Sequence, residues 1–338
     1  MRAEHLKGWL AAARRGEKEE TADKEGGGQD TREGAENWAR VVDLVQIAFR
    51  DEDLAEEATW QAVVLINKGK KDYRGIGLVE VMWKVVATIL NCPFTASITY
   101  HNVLHGFKGG RGTSTATLEA KLLQQLAALR EEVLYVIFLE LHKAYDALDR
   151  SRCLEILEGY VVGPKAKRLL TNYWRRLIMV ARAGGYYGTS FGGERGVMQG
   201  NLLSSTIFNV LVDAVVWHWV HGVMEEAEAR GETGREGWHQ AALFYADNGM
   251  VVLSDPAWLQ GAFTALVGLF DRVGLRKMSG RLSAWSATPA RRGRETEQRR
   301  HMVGDSWEKR GSTRSGIENR WNAWNVENTW RSGQCRVI

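Results

Sequence analysis

The run Val133–Leu139 most constrains what this chain can fold into, because it is an unbroken apolar stretch that ends on a carboxylate. Its β-branched and aromatic residues predict a buried strand, and Glu140 follows directly. A carboxylate at the end of a buried strand is costly unless a cation or backbone N–H groups meet it. Tyr145, Asp146 and Asp149 fall in the turn that is predicted next. The run therefore predicts a buried sheet with a polar site at one edge.

A second acidic edge is predicted within Ala242–Val252, which is apolar on both sides of Asp247 and Asn248. The dipeptide Asn248-Gly249 favours tight hairpin turns, so this segment is predicted to be a β-hairpin with an acidic turn. Hard divalent cations bind oxygen ligands. Two strands that each bring a carboxylate to one edge can therefore hold such a cation between them.

Each half of this acidic edge also has a simpler interpretation. Glu140 can form an ion pair with Lys143 or Arg150, and residues 247–249 can be an ordinary turn. Asp149 can cap the helix that is predicted to follow it. These alternatives stay open when each motif is taken alone.

The composition is that of a globular protein, with 44% hydrophobic and 25% charged residues in 338. No apolar run reaches the 18 or so residues of a membrane span, and the charged N-terminus does not match a signal peptide. Cys92, Cys153 and Cys335 are odd in number and far apart, which favours neither a disulfide framework nor a zinc site. We expect an intracellular protein with no membrane partner.

Residues 1–36 are charged and rich in glycine, which predicts disorder around a short helix at His5–Arg15. Residues 37–132 contain alternating helical and strand patterns. The elements predicted there are a helix over 37–58, a strand over Thr59–Asn67, a helix from Leu78 that Pro93 stops, a basic loop over His105–Gly112 and a helix over Ala116–Glu132.

Residues 133–275 form the third segment. The elements predicted after its first strand are helices over Arg152–Gly159 and Pro164–Met179, a hairpin over Val180–Phe191, a buried helix over Leu202–Val220, the Asp247 hairpin and a helix over Ala257–Val273.

The fourth segment, residues 276–338, is different in character. From Lys277 onward it holds 13 Lys and Arg against 6 Asp and Glu, a net charge of +7 within a total of +4. It is rich in tryptophan and shows no strand or helix period, so we expect it to be poorly folded, as a frame-shifted end would be. Its Trp and Arg residues could alternatively stack on single-stranded nucleic acid.

Five blocks recur in the order of a known family. They are Lys68 with Tyr73–Ile76, the loop His105–Thr115, the strand and turn Phe138–Arg150, the segment Gly196–Asn209 and the hairpin Tyr245–Asn248. Together, over roughly 58–275, they resemble the reverse transcriptases of non-LTR retroelements and group II introns. The resemblance implies an α+β fold of the right-hand polymerase type. A palm with an antiparallel sheet and helices on one face (133–275) would follow fingers (37–132), and no thumb is recognisable.

The resemblance also implies a reaction. It is RNA-directed DNA synthesis, a nucleotidyl transfer that uses two Mg²⁺ ions, an RNA template, a DNA primer and dNTPs. Carried over position by position, the catalytic residues are Glu140, Asp247 and Asn248, with Glu140 and Asp247 as the metal ligands. The substrate-binding positions fall on Lys68, Arg74, Tyr145, Gln199 and Gly200, with Tyr145 as the steric gate against the nucleotide 2′-hydroxyl.

The chain departs from the family pattern where the chemistry is most demanding. Glu140 and Asn248 each occupy an Asp position, Asn201-Leu202 replaces Asp-Pro, Ser205 replaces Pro, and Arg281 alone keeps a charge near an expected Lys. We therefore expect a degenerate, impaired copy. The alternatives are a catalytically dead palm that binds nucleic acid or a protein, and a retroelement relic without function.

Overall fold

The computed structural model describes residues 30–69, 72–160, 163–183, 186–229, 242–253, 255–275 and 278–285. The helix expected at His5–Arg15 lies outside them. The chain divides into two compact units. The first comprises Met1–Ala96, Pro164–Gly192 and Asn201–Leu203, and the second comprises Ser97–Gly163, Gly193–Gly200 and Ser204–Ile338.

The helices and strands follow the predicted order with several changes of boundary. The helices are α1 Asp30–Asp51, α2 Val81–Ser97, α3 Thr113–Leu129, α4 Ala144–Ala147, α5 Arg150–Gly159, α6 Pro164–Arg176, α7 Leu202–Ala229 and α8 Pro256–Arg272. The strands are β1 Trp60–Gly69, β2 Asp72–Val79, β3 Leu134–Leu141, β4 Ile178–Ala183, β5 Tyr186–Gly192, β6 Ala242–Tyr245, β7 Asn248–Leu253 and β8 Met278–Trp285.

The first unit contains a four-stranded sheet in the order β2-β1-β4-β5. The β1–β2 and β4–β5 pairs are antiparallel hairpins, whereas β1 and β4 run parallel from the pair Trp60 and Ile178. Because β4 pairs with β1, residues 164–192 cluster with the N-terminal part of the chain. The division between the units therefore does not coincide with the boundary predicted at residues 132 and 133.

Several boundaries in the first unit differ from the sequence expectation, and β2 occupies a basic segment for which no strand was predicted. α1 begins at Asp30, inside the segment 1–36 that was predicted to be disordered. α2 continues past Pro93, which was predicted to stop it. Leu90 and Phe94 are both buried, so packing on either side of the proline maintains the helix. The Thr95 hydroxyl donates to the Asn91 and Cys92 carbonyls at 3.1 Å.

An aromatic stack lies at the centre of the first unit. The rings of Trp83 on α2 and Tyr173 on α6 are 3.5 Å apart between centroids and 9° from parallel. The Gln61 side chain on β1 donates to the Tyr173 hydroxyl. These contacts join both helices to the sheet, and aromatic pairs of this kind stabilise a core beyond their buried area.

The second unit contains a four-stranded antiparallel sheet in the order β6-β7-β3-β8. The α+β class with an antiparallel sheet is therefore confirmed. The last strand was not predicted. β8 lies in the segment 276–338 that showed no strand pattern, yet its residues pair with β3 from Leu141 to Leu134. Pairing with a buried central strand stabilises a segment whose own sequence pattern is weak.

Helices lie against both faces of this sheet, whereas the sequence predicted helices on one face. On the first face, Ala127 of α3 packs in a buried cluster with Val136 and Val252. On the other face, Phe270 of α8 lies 6.2 Å from Phe244 of β6, measured between ring centroids. The sheet is therefore the middle of three layers, which is why its strands are apolar on both sides.

α7 is the longest of the described helices and is largely buried, as the sequence predicted. Among the described residues it alone is long and apolar enough to cross a membrane by length and composition, but 72% of its apolar window is buried inside the protein. The Trp219 indole donates to the Ala262 carbonyl of α8 at 2.6 Å. Burial of this kind is typical of a core helix in a globular domain.

One carboxylate is buried on α7. Asp213 is 3% exposed and accepts hydrogen bonds from the His101 backbone N–H at 2.6 Å and the Tyr160 hydroxyl at 2.7 Å. Burial raises the pKa of Asp213 to about 6, and the two hydrogen bonds partly oppose that rise. The group therefore joins three chain segments, and it binds a proton more readily than an ordinary aspartate.

Asp213 predicts a pH dependence of stability. Because its pKa in the folded state lies above the ordinary value of 3.8, the folded chain retains a proton that the unfolded chain has lost between about pH 4 and 6, and stability falls as the pH rises. Between pH 4 and 7, we expect the free energy of unfolding of the unaltered chain to fall by on the order of 3 kcal/mol more than that of Asp213→Asn. Urea unfolding across this range measures it, with Asp43→Asn at an exposed position of α1 as the control. Parallel profiles for the unaltered chain and Asp213→Asn would contradict the assignment.

Candidate active site

The turn between β6 and β7 lies beside the end of β3. Glu140 is opposite Asn248 in the antiparallel register, and the Leu141 N–H donates to the Asp247 carbonyl at 2.8 Å. Directly opposed residues of an antiparallel pair project to the same face of a sheet. The three residues at the predicted catalytic positions therefore lie at one end of one sheet.

These residues differ in exposure. Glu140 and Asn248 are exposed, and Asp247 is half-buried. Arg150, one of the two cations that the sequence offered as a partner for Glu140, instead donates from Nε to the Gly196 carbonyl at 2.8 Å. The two carboxylates at this edge are thus accessible from solvent, as a site for a charged substrate requires.

The hairpin turn is formed by Ala246 and Asp247, since Tyr245 and Asn248 are the last paired residues. Ala246 has a φ of +53°, a conformation that costs a residue with a Cβ about 1–2 kcal/mol. The prediction that Asn248-Gly249 forms the turn was wrong. Gly249 is a strand residue against which Phe244 packs: a Cβ there would lie 2.7 Å from the Phe244 ring.

Asn248, at the third of the predicted catalytic positions, carries an amide that is hydrogen-bonded to Asp247 at the second. The Asn248 Nδ2 donates to Asp247 Oδ1 at 3.2 Å. A carboxylate at this position would add negative charge beside Asp247, whereas the amide supplies a proton donor. The hydrogen bond therefore occupies one acceptor site of the Asp247 carboxylate and lowers the negative charge available to a cation.

Tyr145 lies beside this edge. Its ring stacks on Phe208 of α7 with centroids 4.7 Å apart and planes 16° from parallel. Burial raises the pKa of the Tyr145 hydroxyl, and the negative charge of Asp247 raises it further. The structure thus places a rigidly packed aromatic ring close to the predicted metal ligands.

The loop that carries Gln199 and Gly200 is held against the turn after β3. The Val197 N–H donates to the Tyr145 carbonyl at 2.8 Å. Gly196 has a φ of +79°, and a Cβ there would lie 2.7 Å from the Asp146 carbonyl oxygen. Gln199 is half-buried and Gly200 exposed, and both belong to the same unit as Glu140 and Asp247.

The sequence did not identify Arg150 as the residue that holds the loop before Gln199 in place. Arg150 is 8% exposed, and its guanidinium donates to the Gly196 and Gly193 carbonyls. Its fork of donors suits two backbone acceptors. The sequence showed only an Arg at the end of the Phe138–Arg150 block, and no pattern in it pointed to a loop more than forty residues away.

A second loop supports the hairpin from the other side. The His105 N–H donates to the Phe244 carbonyl at 2.8 Å, and the Phe244 N–H donates to the Val103 carbonyl at 2.7 Å. Gly106 follows so closely that a Cβ on it would lie 2.6 Å from the Ala246 backbone nitrogen. The Asn209 amide of α7 donates to the Gly106 carbonyl at 2.8 Å. This loop therefore joins the turn to the core helix.

His105, to which the sequence assigned no role, is part of this support. It is fully buried, with Nδ1 2.9 Å from the Thr115 hydroxyl and Nε2 3.0 Å from Glu119. Burial lowers the pKa of His105 most, and the neighbouring Glu119 charge opposes that change. The ring links the loop to α3.

Lys68 and Arg74 belong to the first unit. Both are exposed on the β1–β2 hairpin, in which Arg74 is opposite Ile66. The structure brings these two cations to one hairpin, and their predicted role towards a triphosphate stays a prediction.

The side chains at the turn do not fit a two-metal site. Within the described residues, no cluster of three or more His, Cys, Asp and Glu side chains could hold a metal ion. The edge offers the carboxylates of Glu140 and Asp247, and the Asn248 amide already donates to one of them. Two Mg²⁺ ions need more anionic oxygen than this set supplies.

The contact at Gly106 predicts a specific sensitivity. Gly106→Ala forces a methyl group against the Ala246 nitrogen, and we expect the free energy of unfolding to fall by about 1–3 kcal/mol, as overpacking does. Gly109→Ala in the same loop is the control, because nothing lies within 4 Å of a Cβ there. Chemical denaturation of both variants measures the difference. Equal stabilities would show that the loop is not pressed against the turn.

Comparison with solved structures finds similar chains of low sequence identity. The apo telomerase of Candida tropicalis truncated from its C-terminal domain is 15% identical, with a TM-score of 0.47 over 68% of this chain and 51% of that chain. The Candida albicans telomerase in complex with a TWJ fragment of telomeric RNA is 14% identical, with a TM-score of 0.45 over 66% and 43%. The chain thus spans about half the length of these structures.

No curated protein matches the chain. A family model, described as reverse transcriptase (RNA-dependent DNA polymerase), matches residues 66–279, which is well over half of the 338 residues. This span contains β3 and the β6–β7 hairpin of the candidate site. The chain therefore belongs to the reverse transcriptase family of RNA-dependent DNA polymerases.

Proposed function

We propose that this chain is a reverse transcriptase domain of the type found in non-LTR retroelements and group II introns, and that its own active site is impaired. The proposed substrates are an RNA template, a DNA primer and dNTPs. Membership of the family supports the reaction class. The order of the five sequence blocks supports the element type.

The two units suit the parts of a right-hand polymerase. We assign the palm to the second unit, because its antiparallel sheet carries Glu140 at the end of β3 and Asp247 in the turn between β6 and β7. We assign the fingers to the first unit, where Lys68 and Arg74 lie exposed on a hairpin. Their positive charges suit a triphosphate.

Residues of the second unit would orient the nucleotide. The Tyr145 ring, fixed by its stack on Phe208, would exclude a 2′-hydroxyl by its bulk. Gln199 and Gly200 would line the pocket from the loop that Arg150 holds. In this family the divalent ions supply the activation of the primer hydroxyl and the stabilisation of the leaving group.

The observation that carries the proposed impairment is the hydrogen bond from Asn248 to Asp247. It places a neutral proton donor where the family has a third carboxylate. Glu140 adds a second defect, since its carboxylate lies one methylene, roughly 1.5 Å, further along the side chain than that of an aspartate. Errors of about 1 Å in reacting groups cost on the order of a hundredfold in rate.

Reversal of both changes tests the proposal. The double variant Glu140→Asp with Asn248→Asp should extend oligo-dT on poly-rA with Mg²⁺ or Mn²⁺ about a hundredfold faster than the unaltered chain. Asn37→Asp, the same chemical change at an exposed position of α1, should leave the rate unchanged. The gain should vanish when Asp247→Ala is added. Full activity of the unaltered chain would overturn the impairment.

A second candidate function is supported by the exposed sheet of the first unit. Arg182 lies over the Tyr187 ring at 5.6 Å, opposite it in the β4–β5 register, and Tyr187 is 63% exposed. Aromatic and cationic side chains of this kind bind single-stranded nucleic acid by stacking and charge. The chain would then be a catalytically dead binding module.

Binding measurements separate the two functions. The dead module predicts salt-dependent binding of a primer–template that Arg182→Ala with Tyr187→Ala weakens, and no synthesis even after the double reversion. Synthesis by the reverted chain would reject it. Absence of both binding and synthesis would favour a relic without function.

A further inference from the structure

α3 is apolar on two opposite sides. Leu123 and Ala127 on one side pack on the buried cluster of the second sheet. On the other side, four leucines at intervals of four, four and three residues are exposed, and we call them the leucine face: Leu118 57%, Leu122 47%, Leu126 40% and Leu129 81%. A helix that is apolar on both sides is typical of a buried middle layer rather than of a surface.

The leucine face is contiguous. Residues three and four apart on a helix are neighbours, so the four side chains form one strip along the length of α3. Thr115 and Gln125 lie beside the strip and carry no charge. Contiguous exposed apolar strips of this kind mark binding surfaces.

The course of the chain brings its C-terminal segment to this strip. β8 is antiparallel to β3, and its last residue, Trp285, is opposite Leu134. Leu134 follows Leu129, the end of α3, by only five residues. The chain therefore leaves the sheet beside the C-terminal end of the leucine face.

The remaining length is more than sufficient to cover the strip. α3 has 17 residues and is about 25 Å long, a span that roughly eight extended residues can cross. Residues 286–338 follow β8. Within them Ile317, Trp321 and Trp324 recur at intervals of four and three residues, as Leu122, Leu126 and Leu129 do.

We propose that the segment 286–338 of this chain docks on the leucine face, with Ile317, Trp321 and Trp324 as its apolar contacts. Tryptophan buries a large apolar area for each residue, and the strip offers leucines at the matching spacing. A second copy of the chain is a weaker occupant. Four half-exposed leucines present far less than the roughly 800 Å² that each partner of a stable interface buries.

Thiol labelling tests the docking in the full-length chain. Cys92 and Cys335 are changed to Ser, and Cys153 stays because it is buried and burial raises the pKa of its thiol. Leu122→Cys then reports the leucine face, and Ala128→Cys, exposed on the same helix, is the matched control. We expect a maleimide to label position 122 about tenfold more slowly than position 128.

Substitutions in the segment complete the test. Trp321→Asp with Trp324→Asp should raise the labelling rate at position 122 to that at position 128, whereas Trp307→Asp should not. Continued resistance of the buried Cys153 thiol to the maleimide shows that the domain stays folded. Equal labelling of both positions in the parent chain overturns the proposal. Protection at position 122 that grows with protein concentration also overturns it and indicates a second copy as the occupant.

Discussion

The antiparallel pairing of β3 with β7 is the interaction on which the rest of the second unit depends. It places Glu140 opposite Asn248, and the Leu141 N–H bonds to the Asp247 carbonyl just beyond that pair. A register slip of one residue would move Glu140 to the opposite face of the sheet. The buried residues of β3, among them Val136 and Ile137, fix the register because both faces are packed.

Close backbone contacts hold the turns around this pairing. Gly106 presses on the Ala246 nitrogen, and Gly196 presses on the carbonyls of Tyr145 and Asp146. The Arg150 guanidinium stabilises the loop that contains Gly196 by donating hydrogen bonds to two of its carbonyl groups. Strained turns such as that at Ala246 persist only where the surrounding structure over-determines them, and these contacts supply that constraint.

Apolar patterns predicted the strands and the buried helix well, because burial selects long runs such as those of β3 and α7. Asp149 was also predicted to be a cap, and its carboxylate accepts from the Ser151 and Arg152 N–H groups. The features that escaped prediction depend on distant partners. β8 exists through its pairing with β3, and α2 continues past Pro93 through packing.

In the candidate site, too, local features could be predicted and those that depend on distant partners could not. The order of the sequence blocks was sufficient to predict that Glu140, Asp247 and Tyr145 lie in one unit. The roles of Arg150, His105 and Gly106 arise from contacts between segments far apart in sequence, which no local pattern records. The position of the turn was mispredicted because Asn248-Gly249 is a strong local signal, while Gly249 is required by the Phe244 ring in the neighbouring strand.

We propose that the Asn248 amide, which donates to the Asp247 carboxylate, weakens cation binding at Glu140 and Asp247. Titration of Mn²⁺ into the unaltered chain and into Asn248→Asp, followed by the paramagnetic signal of the free ion, tests this without any requirement for catalysis. We predict that the variant binds at least about tenfold more tightly, a gain of about 1.4 kcal/mol. Equal affinity of the two proteins for the ion would contradict this role of the amide.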